Sequence, residues 1–356
     1  MSDDLFSQLF DLFDQPGPVN WKLAAEVARH LAGDHEPIEP WTAEEFRELA
    51  RLAEYRVEQV APFRVIPAPD VFPTDARGWA DRNLEAYGPL VEPFAASVVA
   101  EGPVAPLMAQ LTPAIIGLQV GSLVGSLSTW IVASFDAGLP QDRPGQLSVI
   151  VPHIEELSRS RELDNREVRL WVVTNEVAFR AVSQLPWIQD HLEQLLSGYA
   201  DAVRIDPTQL SGLMAGGSDP AAVEEAIAKA GGIESILGGE ETEGPRRELE
   251  AFLGTMTGCA RLLARRSLAD LSPNFDLITD ERDLSRAGGD GREMIGVGPV
   301  PAEMTRLGDE FNQEVERRYG EDALETLWSD PTRMPGADEL RDPTSWAARV
   351  LLDGWS

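Results

Sequence analysis

The chain has 356 residues, of which 43% are hydrophobic and 25% charged, as in an ordinary globular protein. Its 60 acidic residues against 30 basic ones give a formal net charge of −30, which disfavours nucleic acid and anionic membrane surfaces as partners. The single cysteine, Cys259, excludes an internal disulfide and any zinc site built from several cysteines. The opening residues lack a signal-peptide pattern, so we expect a cytoplasmic protein.

The first residues have the pattern of a short amphipathic helix. Residues 4–13, DLFSQLFDLF, are apolar at helical spacing and are followed by helix breakers. They predict an N-terminal arm over residues 1–16, which either docks on its own domain or binds a partner. Residues 17–356 contain no internal repeat and no clean linker, so we expect one mainly α domain with a minor β element.

Two helices are predicted early in this domain. The first covers residues 21–31. Thr42, with Glu45 three residues later, resembles a capping box that opens a second helix through Val60. The proline-rich stretch 62–78 is expected to be irregular, because proline has no amide donor.

Residues 114–135 are 22 residues without a charge, which is long enough to span a bilayer. The segment has no basic residue close by to anchor it in a membrane. Gly117, Gly121 and Gly125 form a smooth stripe on which another backbone can pack closely. We expect a buried central helix, and a transmembrane span is the alternative.

A second buried helix is predicted around the stretch from Leu170 to Trp187. Before it, residues 147–151, LSVIV, are the best strand candidate. Asp164 is a good N-cap, and Glu167 can reach back to it as in a capping box. Apolar residues then share one helical face, and Pro186 ends the helix, with Trp187 beginning the next.

The centre of this helix reads TNEVAF and looks like an altered HExxH zinc-protease motif. In HExxH, two histidines at i and i+4 bind zinc, and the glutamate between them activates the bound water. Asn175 and Phe179 stand at the histidine positions, while Glu176 keeps the general-base position. Asparagine is a poor zinc ligand and phenylalanine is none.

The second half of the chain is predicted to be helical as well. A loop is expected at residues 238–244, and a glycine-rich loop at 287–298 lacks the features of a phosphate cradle. Helices are predicted near residues 220, at 247–268, at 304–318 and at 322–328. The tail is expected to be held by Trp346 and Trp355.

Five segments in order resemble the actinobacterial zincin-like metallopeptidase family, provisionally labelled as hydrolases. One branch of that family is associated with deazaflavin-coenzyme biosynthesis genes. The resemblance implies a zincin-like fold around the HExxH-type helix. The segments are residues 17–32, 117–140, 147–157, 169–192 and 327–350, of which the fourth reads RLWVVTNEVAFRAVSQLPWIQDHL.

The resemblance also implies where the metal ligands of active members would lie. These members carry HEVxH in the helix and a glutamate before glycine on a later helix. The matching third position here is Thr257, followed by Gly258, although Glu248 and Glu250 lie only two turns upstream. With Asn175, Phe179 and Thr257 at the ligand positions, zinc is expected to be absent.

Two functions remain open from the sequence. The first is a catalytically inactive, zincin-like protein that acts by binding or scaffolding, with a protein partner or an active paralogue. The second is a hydrolase, with a metal site rebuilt from His153, Glu176 and Cys259 or with metal-free acid–base chemistry through Glu176. In the first case Glu176 is structural, and we expect an arginine such as Arg180, or the Asn175 and Thr257 side chains, to hold it.

Overall fold

The computed structural model describes residues 17–34, 38–67, 70–88, 91, 92, 95, 105–138, 146–202, 240–287 and 300–352. The predicted N-terminal arm, the helix near residue 220, most of the 287–298 loop and Trp355 lie outside these residues. The described chain is mainly α with one small parallel sheet, which confirms the predicted fold class.

The described residues form two strands, three 3-10 turns and twelve helices. The strands are β1 (Asp70–Thr74) and β2 (Gln146–Ile150), and short 3-10 turns cover Glu85–Tyr87, Ser134–Ala137 and Pro331–Arg333. The helices are α1 (Trp21–Ala32), α2 (Thr42–Glu58), α3 (Ala76–Leu84), α4 (Ala105–Ser128), α5 (Val151–Ser160), α6 (Asn165–Ser183), α7 (Ile188–Ala202), α8 (Glu240–Ser267), α9 (Phe275–Ala287), α10 (Ala302–Tyr319), α11 (Glu321–Leu327) and α12 (Pro343–Leu351).

The glycine stripe of α4 packs against α1, as predicted. A Cβ on Gly117 would lie 2.4 Å from the Asn20 carbonyl oxygen, and one on Gly121 would lie 2.4 Å from that of Ala24. A Cβ on Gly125 would meet the Leu31 Cβ at 2.8 Å. Side chains at these positions would therefore force the two helices apart.

The uncharged segment 114–135 is not one continuous helix. α4 ends at Ser128, the chain turns at Thr129 and Trp130, and a 3-10 turn follows over Ser134–Ala137. Across the described ranges, no helix is long and apolar enough to cross a membrane. The segment supplies a helix–helix interface and a turn instead.

The sheet contains a strand that the sequence did not predict. β1 lies inside the proline-rich stretch expected to be irregular, and it pairs in parallel with β2 from Asp70 opposite Gln146 to Thr74 opposite Ile150. The other side of β2 forms a bridge from Val149 to Ala133, so β1 lies at the edge of the described sheet. An edge strand tolerates proline where the missing donor faces away from the partner strand.

Two predicted helix starts are corrected by the structure. Trp41, not Thr42, is the N-cap of α2, and no side chain caps it. α8 begins at Glu240, within the expected 238–244 loop, and carries Pro245 in its second turn. Proline removes one amide donor there but does not end the helix, which continues to Ser267.

The core is built around α6, which packs against α2, α5 and α8. Arg169 of α6 forms ion pairs with Glu45 of α2 and Glu155 of α5. α8 in turn packs closely on α10, where a Cβ on Gly258 would lie 2.1 Å from the Gly308 carbonyl carbon. Trp346 of α12, fully buried, donates from Nε1 to the Arg333 carbonyl at 2.7 Å and so tethers the tail.

Candidate functional site

Helix α6 begins where the sequence predicts, but only half of the capping box forms. The Asp164 carboxylate accepts a hydrogen bond from the Glu167 amide at 2.8 Å. The Glu167 carboxylate does not complete the box. It accepts from the Asn274 backbone and side-chain amides at 2.8 and 2.9 Å and from Ser272 Oγ at 2.7 Å. Glu167 therefore links α6 to the turn before α9.

The motif lies in a helix that is buried on all sides rather than on one face. Every residue from Val168 to Phe179 is at most 8% exposed. The sequence pattern predicted one buried apolar face. In the structure the polar residues of this helix segment are buried as well. The polar side chains of the motif must therefore find partners inside the protein.

A small pocket beside α6 brings the three predicted ligand positions together. Asn175, Phe179 and Thr257 all line it, and its cavity volume is about 10 Å³. We call it the α6 pocket. The other lining residues are Phe135, Asp136, Trp171, Ala260, Arg261 and Arg282.

The polar groups at two of these positions bond to their own helices. Asn175 Nδ2 donates to the Trp171 carbonyl at 2.9 Å, and Thr257 Oγ1 donates to the Leu253 carbonyl at 2.9 Å. The phenyl ring of Phe179 is 4% exposed. The upstream alternatives for the third position do not line the pocket, since Glu248 is exposed and Glu250 pairs with Arg246.

Glu176 is held differently from the expectation. Its Oε2 accepts a hydrogen bond from the Phe135 backbone amide at 2.8 Å, so the backbone holds it rather than the Asn175 or Thr257 side chain. The charge of Arg180 has a smaller effect on the pKa of Glu176 than the hydrogen bond from Phe135 has. Burial raises the pKa of Glu176 to about 8, and the nearby Asp136 charge adds to this, while the backbone hydrogen bonds and Arg180 lower it. The carboxyl group is therefore mostly protonated at neutral pH.

The turn that binds Glu176 also carries an ion pair at the α6 pocket. Arg282 Nη2 of α9 lies 2.6 Å from Asp136 Oδ2, and the two side chains are only 7% and 1% exposed. The same guanidinium donates to the Trp130 carbonyl at 3.0 Å. Asp136 also accepts from the Val132 amide at 3.0 Å. These contacts join α9 to the 3-10 turn through buried charges.

The alternative metal site of His153, Glu176 and Cys259 does not assemble. His153 Nδ1 bonds to the Ile131 carbonyl at 2.7 Å. Burial raises the pKa of the Cys259 thiol, and the charges that act on it belong to Glu316 and Arg266. Within the ranges that the structure covers, no three His, Cys, Asp or Glu side chains could hold a metal together.

The residues of the α6 pocket do not suit zinc. Catalytic zinc sites in proteins use about three nitrogen, sulfur or carboxylate ligands. The positions predicted to match the ligands supply an amide, a phenyl ring and a hydroxyl, and the one carboxylate among the described lining residues, Asp136, is paired with Arg282.

The described fold is mainly α, and its buried helix α6 carries the segment predicted to be an altered HExxH motif. A family model described as zincin-like metallopeptidase matches residues 19–347. Because that match covers most of the chain, the protein belongs to the zincin-like metallopeptidase family.

A solved structure is similar in fold. The crystal structure of a protein from Chloroflexus aurantiacus, provisionally described as a hydrolase with a novel fold, is similar with a TM-score of 0.65. The two sequences are 18% identical, and the match covers 93% of this chain and 98% of that one. At this identity the likeness concerns the fold alone. A comparison with curated proteins found no match.

Sequence reasoning missed Asp136, Arg261 and Arg282, which carry the charges of the α6 pocket. They lie on three separate elements and match no short motif. One signal was available for Asp136, since it directly follows a long uncharged segment. Nothing local to the other two distinguishes them from surface arginines.

Proposed function

We propose that this protein is a zinc-free member of its family that acts by binding rather than by catalysis. The observation that carries the proposal is the lining of the α6 pocket. Asn175, Phe179 and Thr257, which we match to the family's ligand positions, all line it beside a buried Arg282–Asp136 ion pair. These positions supply an amide, a phenyl ring and a hydroxyl, and the carboxylate of Asp136 is already paired, so the set does not suit a bound zinc ion.

Glu176 supports the same proposal. In an active site its carboxylate would act on a metal-bound water, and it would need access to that water. Here it is 5% exposed, accepts a hydrogen bond from the Phe135 amide and does not line the α6 pocket. Its role in the proposal is structural, because it joins α6 to the 3-10 turn.

The partner that we propose is another protein, with an active member of the same family as one candidate. We also propose that the protein comes from the actinobacterial lineage of the family. The support for this is the resemblance of segments such as 169–192 to that lineage. We propose no deazaflavin ligand, because no residue of the sequence identifies one.

One observation favours the alternative, a hydrolase with metal-free acid–base chemistry. The pKa of Glu176, raised to about 8 by burial, lies near neutral pH, where a general acid or base works best. Its burial argues against this role, because a substrate would have to reach it through the core. Activity that is lost in Glu176→Gln, while the variant keeps its stability, would support the alternative.

Metal content tests the proposal directly. We expect tag-free protein to contain far less than one equivalent of zinc and its melting temperature to be unchanged by a chelator. Zinc near one equivalent, with a melting temperature that falls on chelation, would overturn the proposal. A peptide-hydrolysis assay on the same preparation, with and without chelator, provides the matching activity readout and is expected to show no turnover.

A further inference from the structure

We propose that the apolar part of the N-terminal arm, residues 4–13, docks as a helix on its own domain, in a groove between α1 and α4. The arm itself lies outside the described residues. The inference goes beyond the proposed function and does not depend on the absence of zinc. Its evidence is the groove, the position at which the chain enters α1 and the sequence of the arm.

Helices α1 and α4 run parallel and lie very close together. Their contacts advance in step, from Asn20 against Gly117 at one end to Leu31 against Gly125 at the other. The glycines leave no side chains between the two backbones. The seam between the helices is therefore a groove with a floor of small residues.

The two sides of this seam differ in exposure. On one side, Trp21 and Ala25 of α1 pack against the core, and Val120 of α4 is fully buried. Spacing along the two helices places a second set of apolar residues on the other side. We call that side the α1–α4 groove, and it is lined by Leu23, Val27 and Leu31 of α1 and by Ile115 and Leu118 of α4.

The α1–α4 groove is open to solvent. Leu31, Ile115 and Leu118 are 42%, 43% and 49% exposed, and Leu23 and Val27 are partly exposed. Single exposed apolar residues are normal, but a continuous apolar strip along two helices marks a surface that another segment covers. An amphipathic helix laid into such a groove buries its apolar face there.

The chain enters α1 at one end of this groove. The Asn20 amide, just before α1, donates to the Pro113 carbonyl of α4 at 2.8 Å. Residues 17–19 form a bend, and Gly17 has a φ of +129°, which favours glycine. Pro16 and Pro18 disfavour one continuous helix from the arm into α1. The arm can therefore return along the groove, antiparallel to α1, through residues 14–20, a length usual between packed helices.

The arm matches the groove in length and in surface. Leu5 to Phe13 and Leu23 to Leu31 have the same separation in sequence, about 12 Å at the rise of an α-helix. At helical spacing the apolar residues of the arm share one face, and Asp4 and Asp11 lie on the opposite one. The apolar residues are Leu5, Phe6, Leu9, Phe10, Leu12 and Phe13.

The tether decides between the arm and other occupants. A segment joined by a short connection meets its site at an effective concentration on the order of millimolar. A second copy of the chain or a separate protein would need a comparable concentration to compete. We therefore assign the groove to the arm of the same chain.

Thiol labelling of the full chain tests this assignment. Leu118→Cys places a thiol in the groove, and the native Cys259 is fully buried with its pKa raised by burial, so the new thiol is the reactive one. A docked arm should slow the reaction of this thiol with a maleimide. Adding Leu9→Asp and Phe10→Asp puts charges on the apolar face of the arm, and we expect labelling to become at least about tenfold faster as the arm opens.

Two controls separate docking from other effects. Ser7→Asp with Gln8→Asp adds the same charges to the polar side of the arm and should leave labelling slow. Tyr55→Cys lies on α2 at a residue that is 62% exposed, and its labelling rate should not change with the arm substitutions.

Each outcome decides the inference. Faster labelling of Leu118→Cys only when the apolar face of the arm is charged, at every protein concentration, supports docking within one chain. Equal rates with and without those charges would overturn it and leave the groove open to a separate protein. Protection that grows with protein concentration would also overturn it, because a second copy would then cover the groove. The zinc content does not affect these rates, so this inference and the proposed function can fail separately.

Discussion

Arg282 and Asp136 form a buried ion pair, with Nη2 and Oδ2 2.6 Å apart, in the wall of the pocket that Asn175, Phe179 and Thr257 also line. The pair joins helix α9 to the turn whose backbone binds Glu176. A positive side chain thus lies beside the positions that are predicted to match the metal ligands of the family. This relationship links the stability of the region to its proposed loss of metal binding.

Removing one member of this pair should strongly destabilise the protein. Arg282→Met leaves Asp136 buried without its cation, and breaking a buried pair in this way costs about 3–5 kcal/mol. Chemical denaturation gives the free energy of unfolding. Arg306→Met, at the exposed pair with Glu310, should cost less than about 1 kcal/mol. Equal losses of unfolding free energy in the two variants would show that the buried pair stabilises the protein no more than the exposed pair.

Glu176 should make stability depend on pH in a defined window. Its pKa is about 8 in the folded protein, raised by burial from the ordinary value of 4.5. The folded state therefore keeps a proton that the unfolded state releases, so this group's contribution is complete below pH 4.5, declines as pH rises and is lost above pH 8. The shift of 8 − 4.5 = 3.5 corresponds to a loss on the order of 5 kcal/mol across the window.

The substitution Glu176→Gln tests this dependence, because glutamine does not ionise and can still accept from the Phe135 amide. As pH rises from 5 to 8, we expect the unfolding free energy of the parent protein to fall relative to that of the variant. Glu248→Gln, at an exposed position on α8, is the control for general charge effects. Parallel pH profiles for Glu176→Gln and the parent protein would contradict a protonated Glu176.

Phe179 should act as a core residue at its position in the motif. Its side chain is 4% exposed, and truncating such a phenyl ring leaves a cavity that costs about 3–5 kcal/mol. We therefore expect Phe179→Ala to lower the free energy of unfolding by that amount. Phe72→Ala, at a residue 37% exposed on β1, should cost clearly less. A near-neutral Phe179→Ala would mean that the ring contributes little packing.

The α8–α10 contact should not tolerate a methyl group. A Cβ on Gly258 would lie 2.1 Å from the Gly308 carbonyl carbon and 2.2 Å from the Asp309 nitrogen, so Gly258→Ala must move a backbone. We expect a loss of at least about 2 kcal/mol, as for severe overpacking. In Gly198→Ala on α7, where the new Cβ meets nothing within 4 Å, alanine should stabilise the helix by about 0.5–1 kcal/mol. Thermal denaturation of both variants checks the contrast.

The agreement between sequence and structure is best where the signal is local. The N-cap at Asp164 and the close packing at Gly121 follow from the chemistry of one residue and its neighbours, and both are present. β1 was missed because its proline at position 73 argues against a strand, and only pairing with β2 explains it. The start of α8 at Glu240 was missed because glycine and proline locally predict a loop.

By itself, the sequence determined the mainly α class, the buried helix α6 and the glycine stripe, and it predicted the HExxH-like segment of α6. These depend on spacing of a few residues, which a reader of the chain can see. Only the tertiary structure decided what surrounds that motif. Glu176 is held by a backbone amide 41 residues away, and Arg282 meets Asp136 across 146 residues. Such contacts depend on how whole helices pack, and packing brings together residues that share no pattern along the chain.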